Sequence, residues 1–240
     1  MRIIGHRGAR REAPENTLGG FQHIKNLGIR GVEFDIRQLQ DQELVVIHDD
    51  SFLRTAGVDQ IVEQSTLAQA LSFDHRQNWP NWPTSEPTPT LTGVLNLLDN
   101  FDHIEVEVKA VRDMALAEKL VQKLETELQG FEKVVTITSF DLQILTALRD
   151  TNSQFKRGLL VELPVGATAI ELAHQYGCCH IGWHDQLATD EMIQLSHQAG
   201  LNISVWTVND VERAKRLQDL DIQGLIRACK LFCVSSIFYK

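Results

Sequence analysis

The sequence has few basic residues and no long apolar run. Of its 240 residues, 23 are Lys or Arg and 32 are Asp or Glu, which gives a formal net charge of −9. Nucleic-acid binding depends on clustered basic side chains, so a nucleic-acid partner is not expected. No segment approaches the ~20 apolar residues of a membrane span, and no apolar targeting segment precedes IIGHRG. The sequence therefore predicts a cytoplasmic protein without stable membrane association.

Cysteine is scarce, and two nucleotide-binding motifs are missing. The four cysteines, at positions 178, 179, 229 and 233, do not have the spacing of a disulfide framework, so reduced thiols are expected. No GxGxxG or Walker pattern follows any predicted strand, which argues against a nucleotide-binding fold.

Short apolar runs alternate with longer segments of helical period, as in βα units around a parallel sheet. Eight strands are predicted: Arg2–Gly5, Val32–Ile36, Ile104–Val108, Val134–Thr138, Gly158–Val161, His180–Trp183, Ile203–Val208 and Ile222–Ile226. Helices are predicted over Asp113–Gln129, Asp141–Thr151, Thr189–Ala199 and Asn209–Leu217, with Asn209 and Glu212 as a capping box. This number of units at this length favours an α/β fold with a single (β/α)8 TIM barrel spanning residues 1–240, and a doubly wound sheet is the alternative.

One segment does not follow the βα pattern. Residues from about 49 to 92 are rich in proline and polar side chains and include HRQNWPNWPTSEPTPT. A loop of this length within a compact domain is usually functional or disordered. We interpret it as a small insertion after the second strand that lies over the C-terminal face of the barrel.

Acidic residues alternate with apolar ones on two predicted strands. Glu33 and Asp35 share one face of the second strand, and Glu105, Glu107 and Lys109 share one face of the third. Buried carboxylates need a cation or a partner, and catalytic groups of TIM barrels lie at the carboxyl ends of the strands. A metal site of Glu33, Asp35 and Glu107 is therefore predicted. The alternative is a ring of salt bridges to Lys109 and Arg37.

The three predicted ligands are all carboxylates. An all-oxygen site suits one divalent cation, Mg²⁺ or Ca²⁺, with Mn²⁺ as a further choice, better than Zn²⁺. Water and substrate oxygens would complete its coordination shell.

A predicted hairpin brings a histidine back to these acids. If Asp41-Gln42 is a two-residue turn, antiparallel partners have numbers that sum to 83, and Asp35 lies opposite His48. His6 ends the first strand, next to the second in a barrel. Two imidazoles beside a cation supply a general acid and a general base near neutral pH.

Three further side chains are candidates for substrate binding. Arg7 offers a planar fork to a phosphate, and Lys109 offers a point charge. Trp206 is a candidate aromatic wall for an organic substituent, although plain packing is the commoner role for such a tryptophan.

Eight motifs in order resemble those of the glycerophosphodiester phosphodiesterases over Ile3 to about Ile226. They are HRG (6–8), PENT (14–17), EFD (33–35), HD (48–49), PTL (89–91), EVK (107–109), SF (139–140) and WTVN (206–209). The length and the start of the chain are similar to those of the small cytosolic bacterial members. Two features depart from the family pattern: Thr92 replaces an acidic residue and is expected to cap a helix, and the apolar end RACKLFCVSSIFYK is expected to alter the last helix.

The resemblance implies a function and a set of roles. It implies a (β/α)8 barrel that hydrolyses glycerophosphodiesters such as glycerophosphocholine and glycerophosphoethanolamine to glycerol 3-phosphate and an alcohol. It also implies a divalent cation, two catalytic histidines and phosphate contacts, which match Glu33, Asp35, Glu107, His6, His48, Arg7 and Lys109. In this family and its phospholipase relatives, attack by the glycerol 2-hydroxyl through a cyclic phosphate is an alternative to direct attack by water.

Other functions remain open from the sequence. A lysophospholipase D-like enzyme would use the same scaffold and would have a wide apolar groove around Trp79 and Trp82. A metal-dependent sugar isomerase or lyase also places acids and histidines at a barrel mouth. A non-catalytic barrel that binds glycerophosphodiesters is the third alternative. The sequence is compatible with a homo-oligomer and does not determine the oligomeric state.

Overall fold

Eight parallel strands close a barrel in the part of the chain that the computed structural model describes, residues 1–228. Going around the barrel, the order is β1, β9, β8, β7, β6, β5, β4 and β2, and β1 also pairs with β2. The short strand β3 adds to β2 in antiparallel fashion. The predicted (β/α)8 TIM barrel is confirmed.

The eight predicted strands are all present, with boundaries that shift by one or two residues. Within residues 1–228 the strands are β1 (Arg2–His6), β2 (Gly31–Gln38), β3 (Leu44–Val46), β4 (His103–Val108), β5 (Val135–Ser139), β6 (Lys156–Val161), β7 (His180–His184), β8 (Asn202–Trp206) and β9 (Gly224–Arg227). The helices of the same range are α1 (Leu18–Asn26), α2 (Leu53–Ala56), α3 (Leu67–Ala70), α4 (Leu91–Leu97), α5 (Met114–Glu127), α6 (Leu142–Asp150), α7 (Thr168–Gln175), α8 (Asp190–Gln198) and α9 (Val211–Asp219).

Threonine and aspartate begin most of the helices that follow barrel strands. Their side chains accept a hydrogen bond from a backbone N–H of the first turn, which otherwise lacks a partner. The N-caps are Thr17, Thr90, Asp113, Asp141, Thr189 and Asp210.

Two predicted caps are wrong. Asp210, not Asn209, caps α9, and Asn209 instead accepts a hydrogen bond from the backbone N–H of Ala228 at 3.1 Å. Thr90, not Thr92, caps α4, and the Thr92 hydroxyl donates to Glu127 at 3.0 Å. In both cases a neighbouring residue also has a capping side chain, so the sequence pattern alone does not choose between them.

The main apolar core lies between the barrel and its helices. Val32, Phe34 and Ile36 are fully buried on the outer face of β2, and the ring of Phe34 meets that of Phe21 in α1 edge to face at 5.7 Å. Because side chains alternate along a strand, Glu33 and Asp35 then face the barrel interior.

The hairpin register differs by one residue from the prediction. Ile36 pairs with Val46 and Gln38 with Leu44, so partner numbers sum to 82 and Asp35 lies opposite Ile47. The loop has three residues, closed by a hydrogen bond from Leu39 N–H to the Glu43 carbonyl, and Gln42 takes the left-handed conformation with φ of 69°. A three-residue loop with a left-handed last residue is a common hairpin connection. The prediction that Asp35 and His48 are cross-strand neighbours is therefore wrong.

The segment between β3 and α4 contains α2, the 3₁₀ turn Val62–Gln64 and α3. It has a small apolar cluster of its own, shared with the hairpin and formed by Leu39, Val45, Ile47, Phe52, Val62 and Ala70. Phe52 is fully buried there, and its ring contacts that of Phe73 at 4.9 Å. The segment is thus more regular than its composition predicts.

No helix among the described residues has the length and apolar character needed to cross a membrane. Cys178 and Cys179 are free thiols. The predicted change to the last helix, together with Cys229 and Cys233, lies outside the described residues.

Candidate active site

The predicted site residues meet at the carboxyl ends of the barrel strands. A cavity of about 90 Å³, open to solvent, lies there, and the predicted residues that line it are His6, Arg7, Glu33, His48, Glu107, Lys109 and Trp206. Asp35 is fully buried and forms an ion pair with Lys109 at 2.6 Å. All eight predicted residues are therefore brought together, seven along the cavity and Asp35 buried beside them.

Adjacent strands bring the three carboxylates close to one another. In the β2–β4 pairing, Asp35 lies opposite Glu107. Glu33 lies two residues before Asp35 on β2, so its side chain faces the same way. Glu33, Asp35 and Glu107 each offer an oxygen, and these oxygens lie within 4.8 Å of one another. All three side chains are buried, so water does little to screen their repulsion.

Burial and mutual repulsion change the pKa values of these acids in different directions. Burial, with Asp35 and Glu107 nearby, raises the pKa of Glu33 well above its usual value. Burial and the Asp35 carboxylate raise the pKa of Glu107 to about 7. Burial also disfavours a charge on Asp35, but Lys109 and Arg7 outweigh it and hold the Asp35 pKa well below its usual value.

The donor set fits a hard divalent cation. Two cationic side chains, Arg7 and Lys109, face the three carboxylates. Arg7 also forms an ion pair with a fourth carboxylate, that of Glu15, at 2.9 Å. Oε1 of Glu33 is buried without a hydrogen-bond partner within residues 1–228. A divalent cation bound by carboxylate oxygens would balance the excess negative charge and give this oxygen of Glu33 a partner. The predicted ring of salt bridges forms only in part. Lys109 pairs with the acids as predicted, whereas Arg37 donates to the His48 carbonyl at 2.9 Å.

The two histidines have different partners. Nδ1 of His6 lies 2.8 Å from the Thr207 hydroxyl, and its Nε2 lies 3.7 Å from Glu33. Nδ1 of His48 lies 2.7 Å from an oxygen of Asp49. Burial lowers the pKa of both imidazoles, so both are neutral near pH 7. Each ring is oriented through Nδ1, and each belongs to the lining of the cavity.

The loop after β1 is tied to the acids by its backbone and its side chains. Arg7 has a φ of 52°, in the left-handed region, and its backbone N–H donates to Glu33 at 3.0 Å. Asn16, also left-handed with φ of 54°, donates to Asp35 at 2.8 Å. Such strain in residues with a side chain persists where surrounding contacts hold it, often at functional sites. Thr17 caps the helix that follows.

Arg54 of α2 links the inserted segment to this loop. It donates to Glu15 at 2.7 and 2.9 Å and to Asp49 at 2.5 and 3.1 Å. Since Glu15 also binds Arg7, and Asp49 binds His48, one guanidinium connects two site residues through their carboxylate partners.

Several of these groups have little or no signal in the sequence. Asp49 and Thr207 are marked only as members of the HD and WTVN motifs, and nothing in the local pattern marks Arg54 as a site residue. Glu105 does face inward as predicted, but it lies below the three acids and is paired with His103 at 2.9 Å and Ser204 at 3.2 Å.

The far side of the cavity is aromatic. Trp206 donates from its indole to the Gly182 carbonyl at 3.1 Å and meets Phe140 and His184 edge to face, at 5.5 and 5.0 Å. Phe140, Leu160, Glu162 and Ile226 line the cavity beside it.

Comparisons with known proteins identify the family of this chain. Residues 6–227 match the model of the Glycerophosphoryl diester phosphodiesterase family. A glycerophosphodiester phosphodiesterase of Caldanaerobacter subterraneus subsp. tengcongensis is 28% identical over 228 residues, 93% of this chain and 92% of that protein.

Solved structures share the fold. A phosphodiesterase of Oleispira antarctica, in complex with the product sn-glycerol-3-phosphate, superposes with a TM-score of 0.84 at 22% identity, covering 95% of this chain and 93% of that chain. A glycerophosphodiester phosphodiesterase of Agrobacterium tumefaciens gives a TM-score of 0.78 at 23% identity, covering 95% and 96%. With the family model matched from the first strand to the last, this chain belongs to the glycerophosphoryl diester phosphodiesterase family of phosphoric diester hydrolases.

Proposed function

We propose that this protein hydrolyses glycerophosphodiesters, such as glycerophosphocholine and glycerophosphoethanolamine, to glycerol 3-phosphate and an alcohol with the help of a divalent cation. The observation that carries the proposal is a cluster of three carboxylates at one cavity: Glu33 and Glu107 line it together with two histidines and two cationic side chains, and Asp35 is buried beside them. The product complex of the Oleispira antarctica relative supports the glycerol 3-phosphate half of the substrate.

Each predicted residue has a role in this proposal. Glu33, Asp35 and Glu107 would hold one cation, Mg²⁺ or Ca²⁺, with Mn²⁺ as a further choice. The bound cation supplies Lewis-acid stabilisation of negative charge on the phosphate oxygens. Arg7 and Lys109 bind the phosphate as a fork and a point charge. Trp206 contacts a substituent of the diester.

The histidines transfer the protons of the reaction. The bond between phosphorus and the alcohol oxygen breaks, water supplies a hydroxyl to phosphorus, and its other proton ends on the leaving alcohol. Because both imidazoles are neutral near pH 7, either can accept the first proton. Asp49 stabilises the protonated form of His48, and Thr207 orients His6 through Nδ1. If the glycerol 2-hydroxyl attacks first and water then opens the cyclic phosphate, the same two histidines transfer the protons.

We further propose a single domain over residues 1–240, located in the cytoplasm, with the insertion of about 49–92 as part of the active-site face. The bonds from Arg54 to Glu15 and Asp49 support a joint role of insertion and barrel. A lysophospholipase D-like activity has less support. Trp79 and Trp82 contact each other edge to face at 6.3 Å, Trp82 donates to Glu86, and neither lines the cavity.

A coupled assay for released glycerol 3-phosphate tests the function. Wild-type protein is expected to act on glycerophosphocholine or glycerophosphoethanolamine with Mg²⁺, Ca²⁺ or Mn²⁺ and to lose activity in EDTA. His6→Ala and His48→Ala are expected to lower kcat by about 10²-fold or more, since proton transfer is removed. His174→Ala is the matched control, because His174 is exposed on α7 and does not line the cavity.

Two outcomes contradict the proposal. One is turnover that persists in EDTA. The other is stabilisation of the protein by a diester without product formation under any of the three cations, which would favour the non-catalytic binding barrel.

A further inference from the structure

The cavity has two chemically different sides. One side is charged and comes from β1, β2, the residue after the hairpin and β4, which contribute His6, Arg7, Glu33, His48, Glu105, Glu107 and Lys109. The other side comes from β5, β6, β8 and β9, which contribute Thr138, Phe140, Leu160, Glu162, Trp206 and Ile226. A diester bound with its phosphate on the charged side has one substituent directed to the other side.

Glu162 is the one charged residue among the described lining residues of that second side. It follows β6 two residues after Leu160, so both face the cavity. Val161 pairs with Trp183, and His184 pairs with Trp206, so Glu162 lies at the level of Trp206 across two neighbouring strands.

The Glu162 carboxylate has no ion-pair or hydrogen-bond partner within residues 1–228, and the side chain is exposed to the cavity mouth. This distinguishes it from Asp35 and Glu107, which are buried and form ion pairs with Arg7 or Lys109. It is also separate from the cluster of three carboxylates that suits a metal.

Aromatic rings complete this side. Phe140 directly follows β5 and Trp206 ends β8, so the two rings approach each other from either side of β6 and β7. Their centroids lie 5.5 Å apart with the ring planes at 83°. The indole crosses above Gly182, to whose carbonyl it donates, and a side chain at that glycine would collide with Leu160 at 2.5 Å. The rings are thus held at the cavity wall beside a free carboxylate.

We infer that Glu162, Phe140 and Trp206 form a subsite for a cationic alkylammonium group on the leaving alcohol, as in choline and ethanolamine esters. A carboxylate next to aromatic rings attracts such a cation through charge and through the ring quadrupole. Neutral polyol substituents gain neither attraction, so Glu162 is a specificity-determining residue. The inference rests on the proposed function and names the substituent that the second side of the cavity selects.

The test is a ratio of specificity constants. The kcat/KM for glycerophosphocholine is divided by that for glycerophosphoglycerol, whose headgroup is neutral, under the same cation. Glu162→Gln is expected to lower this ratio about threefold to tenfold, in line with a partly exposed charge contact near aromatic rings. Phe140→Leu is expected to lower it by a smaller factor.

Salt provides an independent readout. Screening weakens an exposed charge contact, so the wild-type ratio is expected to fall as ionic strength rises, whereas the ratio of Glu162→Gln stays nearly constant. Glu171→Gln is the matched control. Glu171 is exposed in the first turn of the helix after β6 and does not line the cavity, so this variant should keep the wild-type ratio.

The inference and the proposed function fail in different ways. If wild-type protein hydrolyses both diesters and Glu162→Gln leaves the ratio unchanged, the subsite is refuted and the function stands. If neither diester is hydrolysed, the proposed function fails, and titration calorimetry with the same diesters still decides the subsite. Equal affinities, or an affinity ratio that Glu162→Gln does not change, would overturn it.

Discussion

Removing the carboxylate of Glu107 is expected to change how the stability of the metal-free protein depends on pH. Burial and the nearby Asp35 raise the pKa of Glu107 from 4.5 to about 7 in the folded protein. The folded state therefore holds this proton more tightly than the unfolded chain does. The stabilisation is complete below the unfolded pKa of 4.5 and is lost as the pH rises through about 7.

The size of the effect follows from the same shift. With a pKa of 4.5 unfolded and about 7 folded, the free energy of unfolding falls by about 2 kcal/mol between about pH 5.5 and about pH 7.5. For a chain of this size, that corresponds to a decrease in Tm of about 4–8 °C. Burial lowers the pKa of His6 and His48, so these groups contribute with the opposite sign. The difference between wild type and Glu107→Gln at each pH removes their contribution.

Thermal unfolding in EDTA, followed by circular dichroism across this pH range, measures the difference. Glu171→Gln serves as the control for removal of an exposed carboxylate and should follow the wild type. A saturating divalent cation should abolish the wild-type decrease, because a bound cation stabilises the charged form of Glu107. Parallel Tm curves for wild type and Glu107→Gln in EDTA would refute the argument from burial and repulsion.

Two further predictions concern the surroundings of the site. Asp49→Asn is expected to lower kcat by about 10²-fold with a smaller change in KM, because His48 loses the carboxylate that orients it and stabilises its protonated form; steady-state kinetics with unchanged kcat would contradict this. Phe52→Ala is expected to lower the free energy of unfolding by about 3–5 kcal/mol, since Phe52 is fully buried in the apolar cluster of the insertion. Urea unfolding measures it, with exposed Leu163→Ala as the control.

The barrel strands were predictable because each has apolar residues on the face that meets the helices. On β2, Val32, Phe34 and Ile36 are fully buried in that layer. The same alternation directs Glu33 and Asp35 inward, so the acidic cluster was predictable from strand period alone. The family motifs then matched the same carboxylates and the two histidines to metal-binding and catalytic roles.

The hairpin register was not predictable because it depends on one backbone conformation. Gln42 adopts a left-handed φ of 69°, which glutamine seldom does, and nothing in Asp41-Gln42 marks it. The loop therefore gains a third residue, and the pairing shifts by one. His48 still lines the cavity because it directly follows Ile47, whose backbone N–H donates to the Asp35 carbonyl of β2.

The contacts around the histidines could not be predicted from the sequence either. Arg54 lies 39 positions from Glu15, and Thr207 lies 201 positions from His6. Such pairs depend on how the inserted segment and the last strands are arranged on the barrel, which no local pattern encodes. Glu162 was missed for a related reason: a single acid after an apolar strand is a common surface feature, and only its position beside Trp206 makes it notable.

The two sides of the cavity come from different halves of the sequence. Apart from the Thr207 hydroxyl that orients His6, the charged side is contributed by residues up to Lys109, and the aromatic side by residues from Thr138 onward. Under the proposed function, substitutions in the second half of the chain can alter which alcohol is released while the phosphate chemistry of the first half is retained. Directed evolution of leaving-group preference can therefore concentrate its mutations on the loops after β5, β6 and β8.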